Sequence, residues 1–205
     1  MNTPLSLLQT FEQCALDQSL KSLVAPNSPR LVLIAGAMGH GKSTTLRALV
    51  HEAVKEHNLR VIQLFSNANN VSMNVPTITK PAPLYRKPLD FHDMDKIAGA
   101  RRNSLQTVSK LLETEPDLVV IDDLNDPEMA HIAGRLVECG LTVFASIHSP
   151  DSNVIERFHN ILHPFNKARM ALEFPMLNYT IVYQMLVKDE KGKVTPKVSQ
   201  ENGIS

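Results

Sequence analysis

The sequence predicts an α/β fold with a mostly parallel sheet, helices on both faces and a C-terminal antiparallel hairpin. Three observations carry that expectation. Short apolar runs alternate with segments of helical periodicity over residues 31–160, as in strands whose two faces are covered by crossover helices. A glycine-rich turn joins the first apolar run to the first helical segment in "RLVLIAGAMGHGKSTTLRALV". Near the end, "LNYTIVYQMLV" and "KVTPKVSQ" are extended runs joined by the turn-forming "KDEKGK".

Taken in order, Leu5, Leu8, Phe11, Ala15, Leu20 and Leu23 recur near helical spacing, which predicts one or two amphipathic helices over 3–24. "APNSPR" ends that pattern, and "LVLIA" (31–35) reads as a buried strand. Residues 42–57 are helical through Leu46, Leu49, Val50 and Val54, and "LRVIQLF" (59–65) is a second strand. Between Ser66 and Asp90 periodicity is lost, and four prolines in "NVPTITKPAPLYRKPLD" predict an extended loop. Asp93 can cap a helix reaching about Glu113, with Met94, Ile97, Ala98, Leu105, Val108 and Leu112 on one stripe. "DLVVIDD" (117–123) is a third strand. The next helix has its signals in place: Asp126 as N-cap, Pro127 first, Glu128 in the opening turn and Gly140 as stop. "LTVFASIH" (141–148) is a fourth strand, and "SPDSNVIERFHNILHP" a short helix expected to end before Pro164. The terminal hairpin is expected to extend the sheet antiparallel.

A chain of 205 residues suits one domain. The expected divisions are an N-terminal helical segment (1–29), a central α/β core (30–163) and a C-terminal helix with hairpin (164–205). Lys plus Arg equals Asp plus Glu at 21 each, so no overall field points to nucleic acid or an anionic surface. Cys14 and Cys139 lie far apart without CxxC spacing, which argues against a zinc site or a disulfide framework. The first residues lack a basic region followed by an unbroken apolar one, so no signal peptide is read and a cytoplasmic location is expected.

Chemistry concentrates at the glycine turn. Gly36, Gly41, Lys42 and Ser43 fit G-x-x-x-x-G-K-[ST] between a strand and a helix. Such a turn curls the backbone so that N–H groups over 36–44 (Gly36, Ala37, Met38, Gly39, His40, Gly41, Lys42, Ser43, Thr44) can meet phosphate oxygens. Lys42 can reach the terminal phosphates, and Ser43 can ligate Mg²⁺; ATP with Mg²⁺ is the expected ligand. His40 is read as exposed and without a catalytic role. Asp122 and Asp123 end the third strand, where ligands collect in open α/β sheets. Acids at such positions, as Asp122 and Asp123 are, can hold Mg²⁺ through water or orient the attacking water. His148 tips the fourth strand on the same side and can hydrogen-bond a terminal phosphate.

Three stretches, "GAMGHGKSTTLRALV", "EPDLVVIDDLND" and "GLTVFASIHSPDSNVIERF", together resemble the secretion and pilus ATPase superfamily (PilT-like motors and the type II and type IV secretion traffic ATPases). The resemblance spans about residues 18–200 and implies the C-terminal RecA-like motor domain, working as a hexamer at an inner-membrane platform protein. It sets Asp123 where the family has its catalytic glutamate, Asp122 where it has glycine, and His148 at the second histidine of the His box. It also shows departures: Leu141 replaces the first of those histidines, Asn125 replaces an arginine, and "QLFSNANN" carries no carboxylate where an acidic box belongs. The family's PAS-like N-terminal domain is expected to be missing or reduced to the segment 3–24.

Aspartate is one methylene shorter than glutamate, roughly 1.5 Å. Misplacing a catalytic group by about 1 Å costs on the order of 10²-fold in rate, so slow hydrolysis is expected. Arg101 and Arg102 are read as a solvated face, and "PLYRKP" as an ordinary loop. Two alternatives stand beside the motor: a non-catalytic nucleotide-binding regulator of such a machine, and a small-molecule kinase. The kinase loop of thymidine kinases is similar, but they carry a zinc-binding cysteine set that Cys14 and Cys139 cannot supply.

Overall fold

Strand β1 (Leu31–Gly36) divides the interior, because successive side chains on a strand point to opposite faces. Leu31, Leu33 and Ala35 enter one apolar core, while Val32 and Ile34 enter the other. Both faces being buried is why this strand reads as an unbroken apolar run. The computed structural model describes residues 10–25, 29–65, 104–150, 153–169 and 177–204, with backbone alone at Phe65 and over 164–169.

The elements follow in the order β1, α1 (Lys42–His57), β2 (Val61–Phe65), α2 (helical over 104–112), β3 (Leu118–Asp122), α3 (Pro127–Glu138), β4 (Thr142–His148), α4 (Val154–Arg169), β5 (Asn178–Lys188) and β6 (Val194–Ile204). They form one six-stranded sheet of order β2-β3-β4-β1-β5-β6. Every pairing is parallel except β5 with β6. Helix α1 packs on one face through Leu46, Leu49, Val50 and Ala53, together with Phe11, Leu20 and Leu23 of the N-terminal segment. Helices α2, α3 and α4 cover the other through Val108, Met129, Ile132, Leu136, Val154 and Phe158. Each such large side chain is worth about 1.5–3 kcal/mol against exposure, so the two cores together hold the sheet between its layers. Adjacent strands β1 and β4 lead to helices on opposite faces, and that reversal opens a crevice at their carboxyl ends.

The signals read for α3 are all present. The Asp126 carboxylate accepts from Met129 N–H at 2.9 Å, Pro127 opens the helix, and Gly140 turns out of it at φ 94°. Ala130, Ala133 and Gly134 are small enough for α3 to lie buried between sheet and neighbouring helices.

Three expectations are corrected. Residues 10–25 form no amphipathic α-helix: a turn covers 11–15 and a 3-10 helix covers Gln18–Leu23, begun by the Asp17 carboxylate on Ser19 N–H. Phe11, Leu16, Leu20 and Leu23 are nonetheless buried, so apolar spacing reported burial and not helix type. Helix α4 does not end before Pro164 but runs through it to Arg169. A proline inside a helix lacks the N–H that would bond four residues back, here to Asn160, and its ring crowds that carbonyl. The helix nonetheless continues for five more residues, with Val154, Phe158 and Leu162 buried in the part before it. The expected division between 163 and 164 therefore falls inside one helix. The expected C-terminal antiparallel hairpin is present: β5 joins the sheet beside β1 and β6 pairs antiparallel with β5. Finally, His40 is half-buried, with its carbonyl bonded to Gln184. The loop expected over 66–90, the Asp93 cap, Arg101 and Arg102 lie outside the described residues. Among the described residues no helix is long and apolar enough to cross a membrane.

Candidate functional site

Helix α1 begins without a side-chain cap. Its N-cap is Gly41 in the left-handed conformation (φ 79°), so the first N–H groups of the helix have no side-chain acceptor. Gly39 also has positive φ, 78°, and a Cβ added there would meet nothing within 4 Å. Gly36 is required for a different reason: a Cβ there would collide with the backbone carbonyl of Gln184 on β5. The result is a concave turn of backbone donors with the positive end of α1 beneath it, the arrangement that attracts anions. The Lys42 ammonium donates to the Ala37 carbonyl at 2.9 Å, folding back over the turn. Burial lowers the Lys42 pKa, while the charges of Asp123 and Asp122 act against that shift.

The turn faces a cleft of about 530 Å³ lined by Met38, Gly39, Gly41, Lys42, Ser43 and Thr44 on one side. Asp122, Asp123, Asn125, Ser146 and His148 line the other. Asp122 accepts from Ser43 Oγ at 2.9 Å and from Ser146 Oγ at 2.8 Å, both on Oδ1. Consecutive strand residues point to opposite faces, yet Asp122 and Asp123 line one cleft. The cause is Asp123 itself, which leaves the strand with φ 71°; its N–H is held by Ser146 Oγ at 2.8 Å. Burial raises the Asp123 pKa first and the Asp122 charge raises it further; Asn125, Lys42 and His148 pull it back. His148 pairs in register with Gly36 across β4 and β1, and its buried Nδ1 has no hydrogen-bond partner among the described residues.

The expected residues therefore sort into two groups. Met38, Gly39, Gly41, Lys42, Ser43, Thr44, Asp122, Asp123 and His148 meet at the cleft. Gly36, Ala37 and His40 do not line it: Gly36 lies against the Gln184 carbonyl, the Ala37 carbonyl accepts from Lys42, and the His40 carbonyl accepts from Gln184 Nε2 at 2.7 Å. Sequence reasoning missed Ser146 and Gln184. Each is a polar residue within an apolar strand, buried to 3% and 1% exposure, and such residues need partners.

A serine hydroxyl beside a strand-tip carboxylate, under a loop of backbone donors, presents hard oxygen ligands of the kind Mg²⁺ takes. This strand–cradle–helix, set at the switch point of a parallel sheet, has the fold of RecA-like ATPase domains. The chain belongs to the Type II/IV secretion system protein family, whose model it matches over residues 4–194. It is 23% identical over 198 residues to the twitching motility protein of Neisseria gonorrhoeae, covering 92% of this chain and 49% of that relative. The chain thus spans about half that protein's length. The crystal structure of the pilus retraction motor PilT with bound ADP shares the fold at a TM-score of 0.61 and 20% identity, over 98% of this chain and 55% of that one. The Legionella pneumophila ATPase DotB does so at a TM-score of 0.59 and 18% identity, over 95% and 50%.

Proposed function

We propose that this chain binds ATP with Mg²⁺ and hydrolyses it slowly, as a motor subunit of a type IV pilus, secretion or conjugation machine. The observation that carries the reading is the Ser43–Asp122 bond at 2.9 Å, a hydroxyl and a carboxylate of the kind that can ligate Mg²⁺, together beside the loop of backbone donors. Family membership and the ADP-bound relative support it.

In this reading the free N–H groups at the start of α1 hold the β- and γ-phosphates, and Lys42 leaves the Ala37 carbonyl to meet them. Mg²⁺, when bound to Ser43 and Asp122, neutralises phosphate charge. Asp123 orients the attacking water and receives its proton, and the ring of His148, which lines the cleft, contacts the γ-phosphate. The subunits act as a hexamer on the cytoplasmic side of an inner-membrane platform protein, and loss of the γ-phosphate alters their packing. The missing acidic box and the aspartate at position 123 account for slow turnover.

The test is phosphate release at saturating ATP. Wild type releases phosphate slowly, and Asp123→Asn lowers the rate at least about tenfold while ATP affinity stays within about threefold. Equal turnover in that variant moves the catalytic role away from Asp123. A second reading, a nucleotide-binding regulator, draws on the short, half-buried Asp123 side chain. Single-turnover mixing with no phosphate released at any ATP concentration identifies it.

A further inference from the structure

A glutamine in the middle of the apolar run "TIVYQMLV" is costly to bury unless both ends of its amide are bonded. Gln184 is 1% exposed and both ends are satisfied, each by the phosphate loop or the helix it opens. Its Nε2 donates to the His40 carbonyl at 2.7 Å, and its Oε1 accepts from Thr45 Oγ1 at 2.6 Å. The partners fix the orientation of the amide, since a carbonyl can only accept. The Gln184 backbone carbonyl lies against Gly36 and 3.4 Å from His40 Nδ1. One residue of β5 thus touches the start of the loop, its middle and the first turn of α1.

The consequence follows from the planarity of the peptide bond. In a trans peptide the C=O and the following N–H point in opposite directions, and the described peptides contain no cis bond. With the His40 carbonyl drawn back to Gln184, the Gly41 N–H is turned forward, toward the cleft that Gly41 lines. We propose that Gln184 is a positioning residue that presets the 40–41 peptide so that its N–H faces the phosphate site before any nucleotide arrives. A loop already in its binding orientation gives up less freedom on binding, and β5 becomes the element through which the terminal hairpin is tied to nucleotide affinity. This inference rests on the nucleotide-binding reading above.

The test compares ADP affinity by calorimetry in wild type, Lys42→Ala, Gln184→Leu and Gln184→Met. Methionine has nearly the length of glutamine but cannot donate to the His40 carbonyl. Both Gln184 variants are expected to bind ADP about tenfold more weakly, the net worth of one good hydrogen bond. Turnover at saturating ATP stays within about threefold, because the lost interaction is present before and during reaction alike. Hydrogen exchange in the unliganded variants is expected to quicken over 36–45 and to stay unchanged in β3 and β4. Gln184→Asn keeps an amide but is too short to span both partners, so it shows the same loss if the other two fail to fold. Wild-type ADP affinity in Gln184→Met or Gln184→Asn overturns the proposal. If wild type itself binds no ADP, the nucleotide reading falls as well. If wild type binds and Lys42→Ala does not, that reading stands and the Gln184 result is judged alone.

Discussion

Ser43 on α1 and Ser146 on β4 donate to the same oxygen, Oδ1 of Asp122, at 2.9 and 2.8 Å. Two residues 103 positions apart, on different elements, are thereby fixed on one carboxylate. The other oxygen of Asp122 remains available to the cleft. Ser146 does a second task, because its oxygen also accepts the N–H of Asp123 and holds that residue in its left-handed turn. Ser146→Ala leaves a backbone donor and a buried carboxylate oxygen each short of a partner. We expect it to destabilise the fold by about 1–3 kcal/mol and to raise the Mg²⁺ concentration needed for half-maximal ATP turnover. Thermal melts and a Mg²⁺ titration measure the two effects; an unchanged Mg²⁺ requirement rejects the supporting role.

Gly36→Ala tests the packing of the loop against β5. The added Cβ collides with a backbone carbonyl in a parallel ladder, where neither strand can withdraw without breaking its pairing. The expected cost is about 1–3 kcal/mol with weakened nucleotide binding, read from a denaturant melt and an ADP titration. Gly39→Ala, with open space around the added atom, carries only the strain of its positive φ and is expected to fold and bind better than Gly36→Ala.

Glu128 supplies the pH prediction. It is 2% exposed in the first turn of α3, and its Oε2 has no hydrogen-bond partner among the described residues. Burial, and next the charge of Asp126, push its pKa up from 4.5 to about 7. A carboxyl whose pKa is raised by folding favours the folded state while protonated. Its stabilising contribution is full below 4.5 and lost as pH rises through about 7. Glu128→Gln is therefore expected to melt a few degrees above wild type at pH 8 and to match it near pH 4. A constant difference between the two pH values rejects the assignment.

Much of this was legible in the sequence because its signals are local. The glycine turn, Lys42, Ser43 and the α3 caps each announce themselves within a few residues, and the apolar runs mark β1, β3 and β4. Gln184 and Ser146 carry no such local mark. Gln184 is bonded to Thr45 and to His40, which lie 139 and 144 positions away, so its task exists only once β5 is laid beside β1. A signal was nonetheless there, in a glutamine inside "TIVYQMLV" and a serine inside "TVFASIH". Pro164 misled for the opposite reason: a strong local breaker sits inside α4, which runs through it to Arg169.

The central claim is that the turn over 36–44 holds the terminal phosphates of a nucleotide. Titration of ATP with Mg²⁺ into wild type and Lys42→Ala tests it most directly, with circular dichroism to verify that the variant is folded. The account predicts saturable binding to wild type and loss of at least about a hundredfold in affinity for the variant, as expected when a charged donor to phosphate is removed from a cradle of this kind. Equal affinity in the two proteins contradicts it.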